Sequence, residues 1–265
     1  MDSTHIFFAF LLSYFAGLST GIGSLIALLA KQTNKNFLCA ALGFSAGIMI
    51  YVSFMEMMPQ AKEELTAVFG DKLGVLYMII AFFGGMGFIN LIDFAIPESI
   101  NPHEVQGVED MNKKDSSLKR TGIVVAISIA IHNFPEGIAT FTSALGSLDV
   151  AIPIALAIAI HNIPEGIAVA VPIYHATGSR KKAFWYSFLS GLAEPFGALI
   201  AYFFLMQFWT PAMNGIILAA VSGIMVFISI DELLPSAEKY GKHHISIMGL
   251  VIGMLVMALS LFLFI

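Results

Sequence analysis

This sequence predicts an all-α membrane protein: eight transmembrane helices in a bundle with inverted pseudo-two-fold symmetry. Three observations carry that reading. Of 265 residues, 58% are hydrophobic and only 12% charged, against about 25% charged in an average soluble domain. The apolar residues fall into eight runs of the length that crosses a bilayer core, roughly 17–25 residues. All 13 Lys and Arg lie outside those runs. Two internal repeats then relate runs that cross in opposite directions.

The runs are placed at 6–30, 37–58, 73–96, 122–145, 150–173, 183–208, 212–235 and 245–265, which makes 1–265 a single transmembrane domain. The first is too long for a cleavable signal, and only Asp2 and His5 precede it, with no basic segment. Alternate loops divide the basic residues unequally. Lys31, Lys35, Lys113, Lys114, Lys119, Arg120, Arg180, Lys181, Lys182, Lys239 and Lys242 fall in one set, and only Lys62 and Lys72 in the other. An 11 to 2 split is a strong positive-inside signal. It supports the count of eight and puts both termini on the non-cytoplasmic side. Trp185, Tyr186 and Trp209 near the ends of the sixth run read as interfacial belt residues. The one long loop, 97–121, is polar, mixed in charge and aperiodic, and reads as a flexible cytoplasmic linker. Its His103, Glu104 and Glu109 read as solvated loop residues, and His175, His243 and His244 fall at cytoplasmic edges without an assigned role. A single cysteine, Cys39, excludes an internal disulfide and a thiolate metal cluster. The net charge of −5 sits in short loops and points to no nucleic-acid partner.

The strongest feature is a phrase written twice. Residues 126–139 read AISIAIHNFPEGIA and residues 155–168 read ALAIAIHNIPEGIA, eleven of fourteen positions identical at an offset of 29. A weaker match relates GIMIYVSFMEMMPQA, 47–61, to GIMVFISIDELLPSA, 223–237, pairing Ser53 with Ser229, Glu56 with Glu232 and Pro59 with Pro235. In both cases the partners cross in opposite directions, which implies an axis in the membrane plane. The outer pairing relates spans 1–3 to spans 6–8 and leaves 4 and 5 in the middle.

The duplicated phrase holds the candidate site. His132 and Glu136 are four apart and share a helix face, as do His161 and Glu165, with Asn133 and Asn162 close beside them. Pro135 and Pro164 cannot donate to the carbonyls of Ile131 and Ile160, so each span is expected to kink there. The sixth span adds Glu194 in SGLAEPFG. A charged side chain at membrane depth costs about 2.5–3.5 kcal/mol on the insertion scale, and no Lys or Arg lies nearby in sequence to offset these carboxylates. Protonation or a divalent cation could neutralise them, and two neutral imidazoles facing the same space favour the cation. Imidazole with carboxylate suits Zn, Fe, Co, Mn or Ni, whereas pure oxygen sites suit Ca and Mg. Two carboxylates on facing helices also permit a pair of bridged ions. Glu56, flanked by Met55, Met57 and Met58, is placed at the outer end of its span. Asp93, Asp231 and Glu232 are placed near cytoplasmic ends, as an exit or as interfacial carboxylates reaching water.

At HNFPEG, HNIPEG and the SGLAEP span, and in GIMIYVSFMEMMP and SGIMVFISIDELLP, the chain resembles the ZIP (Zrt/Irt-like) metal-ion transporters over essentially its whole length. The resemblance implies eight helices in a 3+2+3 arrangement, a transport site formed mainly by spans 4 and 5, and movement of divalent metal into the cytoplasm. Carried over, the metal ligands are His132, Asn133, Glu136, His161, Asn162, Glu165 and Glu194. It further implies Zn2+ as the substrate, with Fe2+, Mn2+, Co2+ and Cd2+ also accepted, in the inner membrane of a bacterial cell. Many members carry a His-rich loop between spans 3 and 4. Here that loop holds only His103. No catalytic cofactor is expected. Two other readings use the same residues. An intramembrane zinc hydrolase needs an open metal position and a general base, but HNxPE is not HExxH and the central spans offer no Arg, Lys or Tyr to steady an oxyanion. A cation channel would pass ions faster and without saturation. GxxxG at Gly43 and Gly47 permits a close helix contact, within one chain or in a homodimer.

Overall fold

A computed structural model describes the backbone of residues 3–29, 35–95, 117–146, 148–240 and 242–263. Within these, side chains are described except at 3–4, 35, 95, 117–129, 132, 146, 149–150, 168, 171–172, 175–176 and 239–240. The described residues contain eleven α-helices and no strand: α1 Ser3–Leu29, α2 Lys35–Val52, α3 Met58–Phe69, α4 Asp71–Ala95, α5 Ser117–Gly146, α6 Leu148–Thr177, α7 Arg180–Gly191, α8 Ala193–Ile200, α9 Pro211–Ile228, α10 Leu234–Tyr240 and α11 His243–Leu263. Several join end to end. Six continuous helical stretches are long and apolar enough to cross a membrane: His5–Leu29, Asn36–Phe69, Asp71–Phe94, Arg180–Phe208, Pro211–Glu238 and His243–Leu263. In α6, Ala151–Ile167 forms a shorter apolar helix.

Connections are tight where the chain supplies the right residue. Gly70 (φ 77°) turns α3 into α4, and Gly178 (φ 64°) turns α6 toward α7. Both are left-handed conformations that cost glycine nothing. The Ser179 side chain caps α7 by accepting from the Lys182 N–H, and Thr210 caps α9 in the same way ahead of Pro211.

Packing divides into two halves. Helix α1 lies on α6, and α5 on α8; α11 lies on α2, and α4 on α9. The halves meet where α2 packs on α6 and α5 on α9. Exchanging α2 with α9, α5 with α6, α4 with α11 and α1 with the α7–α8 rod maps these contacts onto one another. Glycines set the closest seams. A Cβ on Gly43 or Gly47 would meet the carbonyl oxygens of Ser246 and Leu250 at 2.3 and 2.1 Å, and one on Gly249 or Gly253 would meet those of Ala40 and Phe44 at 2.3 and 2.1 Å. The GxxxG face is therefore filled within the chain, by α11.

Several boundaries differ from the sequence reading. The second span was placed at 37–58, but the helix runs on to Phe69, about 50 Å from Asn36 at 1.5 Å per residue. Glu56 therefore lies within a helical stretch that continues beyond it to Phe69. Its methionine neighbours diverge, with Met57 fully buried and Met55 54% exposed, so they do not gather around it. Of the expected linker 97–121, residues 117–121 are the first turn of α5, because a helix N-terminus takes polar residues readily. The remainder lies outside the described residues, with His103, Glu104 and Glu109. Helices α5 and α6 run through Pro135 and Pro164 without a break.

The irregular turns come elsewhere. Ser53–Met57 and Ser229–Leu233 are single π-helical turns at matching positions of the weaker repeat. In each, the N–H that follows the turn reaches back to the serine carbonyl, Met58 to Ser53 and Leu234 to Ser229. A third such turn, Ala201–Leu205, has no proline behind it, whereas at the two repeat positions a proline stands one residue further on and favours the widening. Pro59 and Pro235 lack an N–H, and their rings crowd the carbonyls of Met55 and Asp231, so the helix widens by one residue. The first turn packs on α9 and the second on α2.

Candidate metal centre

The site lies where α5, α6 and α8 meet under α1. Helices α5 and α6 present the same face of the duplicated phrase to each other. Asn133, Glu136, His161, Asn162, Glu165 and Glu194 are all no more than 2% exposed. His161 Nε2 lies 3.3 Å from Glu136 Oε1 and 3.4 Å from Oε2. Asn162 Nδ2 donates to Glu194 Oε1 and, at 3.0 Å, to the Ala16 carbonyl of α1. Asn133 Nδ2 donates to the Ser190 carbonyl of α7 at 3.4 Å. Glu136 acts electrostatically on both Glu165 and Glu194, which places the three carboxylates in one neighbourhood.

Both Asn side chains thus spend their N–H groups on neighbouring elements and keep their oxygens free. Asn133 Oδ1, Asn162 Oδ1, His161 Nδ1, both oxygens of Glu165 and Glu194 Oε2 are buried with no hydrogen-bond partner. Buried acceptors are almost always satisfied, and an isolated carboxylate in low dielectric is costly. No Lys or Arg pairs with any of the three carboxylates among the described residues. The arrangement is short of positive charge and rich in O and N lone pairs, the donor set of a borderline dication.

Of the seven sequence-derived ligands, the structure therefore brings together Glu136 and His161 directly, and Asn162 with Glu194. Asn133 and Glu165 lie buried alongside. The side chain of His132 lies outside the described residues, and so does that of His175. Among the described residues, no three His, Cys, Asp or Glu side chains are already set to hold a single ion.

Glu194 sits just past a one-residue irregularity at Leu192, inside a helix that otherwise runs on from Arg180 to Phe208. Helix α7 ends at Gly191 and α8 begins at Ala193, with Glu194 in its first turn. Pro195 is the cause, since it has no N–H for the Gly191 carbonyl and its ring would collide with it. Two motif glycines complete the packing. A Cβ on Gly137 would stand 2.0 Å from the Glu194 carbonyl oxygen, and one on Gly166 would stand 2.0 Å from that of Thr20. The glycine of each PEG triplet is thus the point where α5 touches α8 and α6 touches α1. Both copies of the phrase carry this glycine, so the signal for the two seams is present in the sequence.

Thr140 and Ser143 lie one and two turns beyond Glu136 on the same face of α5. Both are fully buried, and neither hydroxyl has a partner. On the other side, Glu232 of the second π turn is 8% exposed and close enough to Glu165 to act on it electrostatically. Sequence spacing could have found the hydroxyls, by extending the Glu136 stripe along the helix.

The family model described as "ZIP Zinc transporter" matches residues 95–261. Curated relatives match over nearly the whole chain. The "Zinc transporter ZupT" of Streptococcus mutans is 59% identical over 99% of this chain and 100% of its own length. Proteins of the same name from Clostridium perfringens and Chlorobium luteolum are 58% and 61% identical, covering 100% and 96% of this chain and 98% and 97% of their own lengths.

Proposed function

This chain belongs to the ZIP zinc transporter family, and we propose that it carries zinc into the cytoplasm through the buried His–Glu–Asn cluster of α5, α6 and α8. The observation that carries this reading is the set of unpartnered acceptors around Glu136, His161, Asn162, Glu165 and Glu194, buried with no cationic residue. His132 joins them as a ligand from its place four residues before Glu136. Zinc is the substrate, taken up by the ligands in exchange for its water; Fe2+, Mn2+, Co2+ and Cd2+ have the ligand preferences to follow. Release depends on the site not binding too tightly, and the neighbouring Glu232 offers the next carboxylate on the way out.

The chain crosses the membrane eight times in the 3+2+3 order, α5 and α6 forming the central pair. The packing exchange described above, and the π turns at matching points of the two repeat copies, support the inverted symmetry. With basic residues inside, both termini face away from the cytoplasm, and the host membrane is the bacterial inner membrane. A carrier of this kind is not an enzyme, and an ion bound by so many side chains keeps no open catalytic position. A homodimer remains compatible with the free outer faces, although it would not use Gly43 and Gly47.

Reconstituted protein tests the assignment. Zinc uptake into proteoliposomes should saturate at low metal in the wild type and fall at least tenfold in His161→Ala and Glu165→Ala. Wild-type rates in both variants would remove the cluster as the site. Uptake that rises linearly with metal would mean a channel, and peptide or lipid turnover without flux would mean a hydrolase.

A further inference from the structure

A second polar knot joins α3 to the first turn of α9, far in sequence from the His–Glu phrases. Glu64 Oε1 accepts from Asn214 Nδ2 at 2.7 Å and from Gln60 Nε2 at 3.1 Å. Both amides thus give an N–H to one carboxylate oxygen. Glu64 Oε2, Gln60 Oε1 and Asn214 Oδ1 are all buried without a partner. Asn214 is 1% exposed, whereas Gln60 and Glu64 are half-buried, so the knot is closed on the α9 side and reachable on the other. An amide or carboxylate is about 2.3 Å across by standard bond lengths, so the three unpartnered oxygens all lie within about 5.5 Å of Glu64 Oε1. Gly215 makes room for the contact: a Cβ there would meet Leu65 Cγ at 2.8 Å and the Ala61 carbonyl oxygen at 3.1 Å.

The start of α9 does not supply the missing donors. The Met213 N–H is taken by the Thr210 hydroxyl and the Asn214 N–H by the Thr210 carbonyl. Three buried oxygens around one carboxylate, with no donor left for them, have one simple complement. We propose that Gln60, Glu64 and Asn214 form a cation site of oxygen donors only, for a hard divalent ion of the Ca2+ or Mn2+ class, separate from the His–Glu cluster. The ion lies against Glu64. The two amides turn over, which exchanges O and N in nearly the same space, and present their carbonyl oxygens to it. Water enters from the half-buried side and fills the remaining positions, as is usual for these ions. With no imidazole or sulfur, the site leans toward Ca2+ and Mn2+ relative to the cluster at the repeat. It also ties α3 to α9 across 150 residues of sequence. The site stands whether or not the His–Glu cluster carries zinc.

Mn2+ is the probe, counted by loss of its free electron paramagnetic resonance signal on titration into the purified full-length protein. The background is Glu136→Gln with Glu165→Gln, which weakens the other cluster. Adding Glu64→Gln should remove one bound Mn2+, or weaken it at least tenfold. Adding Asn214→Asp should tighten the same ion by about tenfold, and Ca2+ should displace it. Should Glu64→Gln fail to fold, Gln60→Leu and Asn214→Leu give the same reading. The proposal is overturned if Mn2+ binding is unchanged by Glu64→Gln and Asn214→Asp, or if all bound Mn2+ disappears already in the background protein.

Discussion

Replacing Gly137 by Ala adds one carbon at the point where α5 touches α8. In the present packing that carbon would lie 2.0 Å from the Glu194 carbonyl oxygen and 2.6 Å from the Glu194 carbonyl carbon and Cα. Carbon contacts are favourable at about 3.5–4.0 Å, so α8 must retreat by about 1.5 Å at Glu194. Nothing flexible is in the way, because all three atoms are backbone. Glu194 is the carboxylate bonded to Asn162, in the same neighbourhood as Glu136. Metal sites tolerate about ±0.2 Å in ligand distance, and disturbing groups that merely orient ligands costs about 10–100-fold in affinity. Gly137→Ala should therefore raise the zinc concentration for half-maximal uptake by at least tenfold. The assay is initial-rate uptake into proteoliposomes over a range of zinc, with thermal unfolding in parallel. Gly84→Ala is the matched control. No heavy atom lies within 4 Å of its added carbon, and alanine in a helix is favoured over glycine by about 0.5–1 kcal/mol. It should transport normally and melt no lower than wild type. Wild-type uptake by Gly137→Ala would mean that the α5–α8 seam does not position Glu194, and the account of the site would fail.

Pro195→Ala restores a donor for the Gly191 carbonyl and regularises the turn at Leu192. The melting temperature should rise while uptake falls about tenfold, and a parallel rise in both would refute the role given to that irregular turn. Thr140→Cys and Ser143→Cys should react with a water-soluble thiol reagent and be protected by zinc, since these hydroxyls extend the Glu136 face. Cys39, which packs in the apolar core and not along the polar face of α5, should stay silent until the protein is denatured. If neither new cysteine reacts, water does not reach that stripe. Gly47→Leu should lower the melting temperature sharply without changing the oligomeric state by light scattering, because its side chain would run into the Leu250 carbonyl of α11 in the same chain. A change of oligomeric state at unaltered stability would contradict that packing.

The all-α character, the long apolar runs and the residues that crowd the buried His–Glu–Asn cluster are legible in the sequence alone. The reason is that each depends on short-range sequence. Apolar run length measures the cost of leaving the bilayer, i to i+4 spacing fixes which side chains share a helix face, and an uncompensated His–Glu phrase needs a cation wherever it is buried. A proline in the phrase predicts kinks at Pro135 and Pro164, where the helices run on without interruption, while irregular turns lie before Pro59, Pro195 and Pro235 and, with no proline behind it, at Ala201–Leu205. Whether a helix bends or widens at proline depends on what packs against the freed carbonyl. Only tertiary contact decided that Gly137 abuts Glu194, that Asn133 and Asn162 give their N–H groups to neighbouring helices, and that Gly43 and Gly47 are spent on α11. The meeting of Glu64 with Asn214 is of the same kind. Such contacts join carbonyls and side chains far apart in sequence, and no local pattern records which backbone atom will arrive opposite which residue.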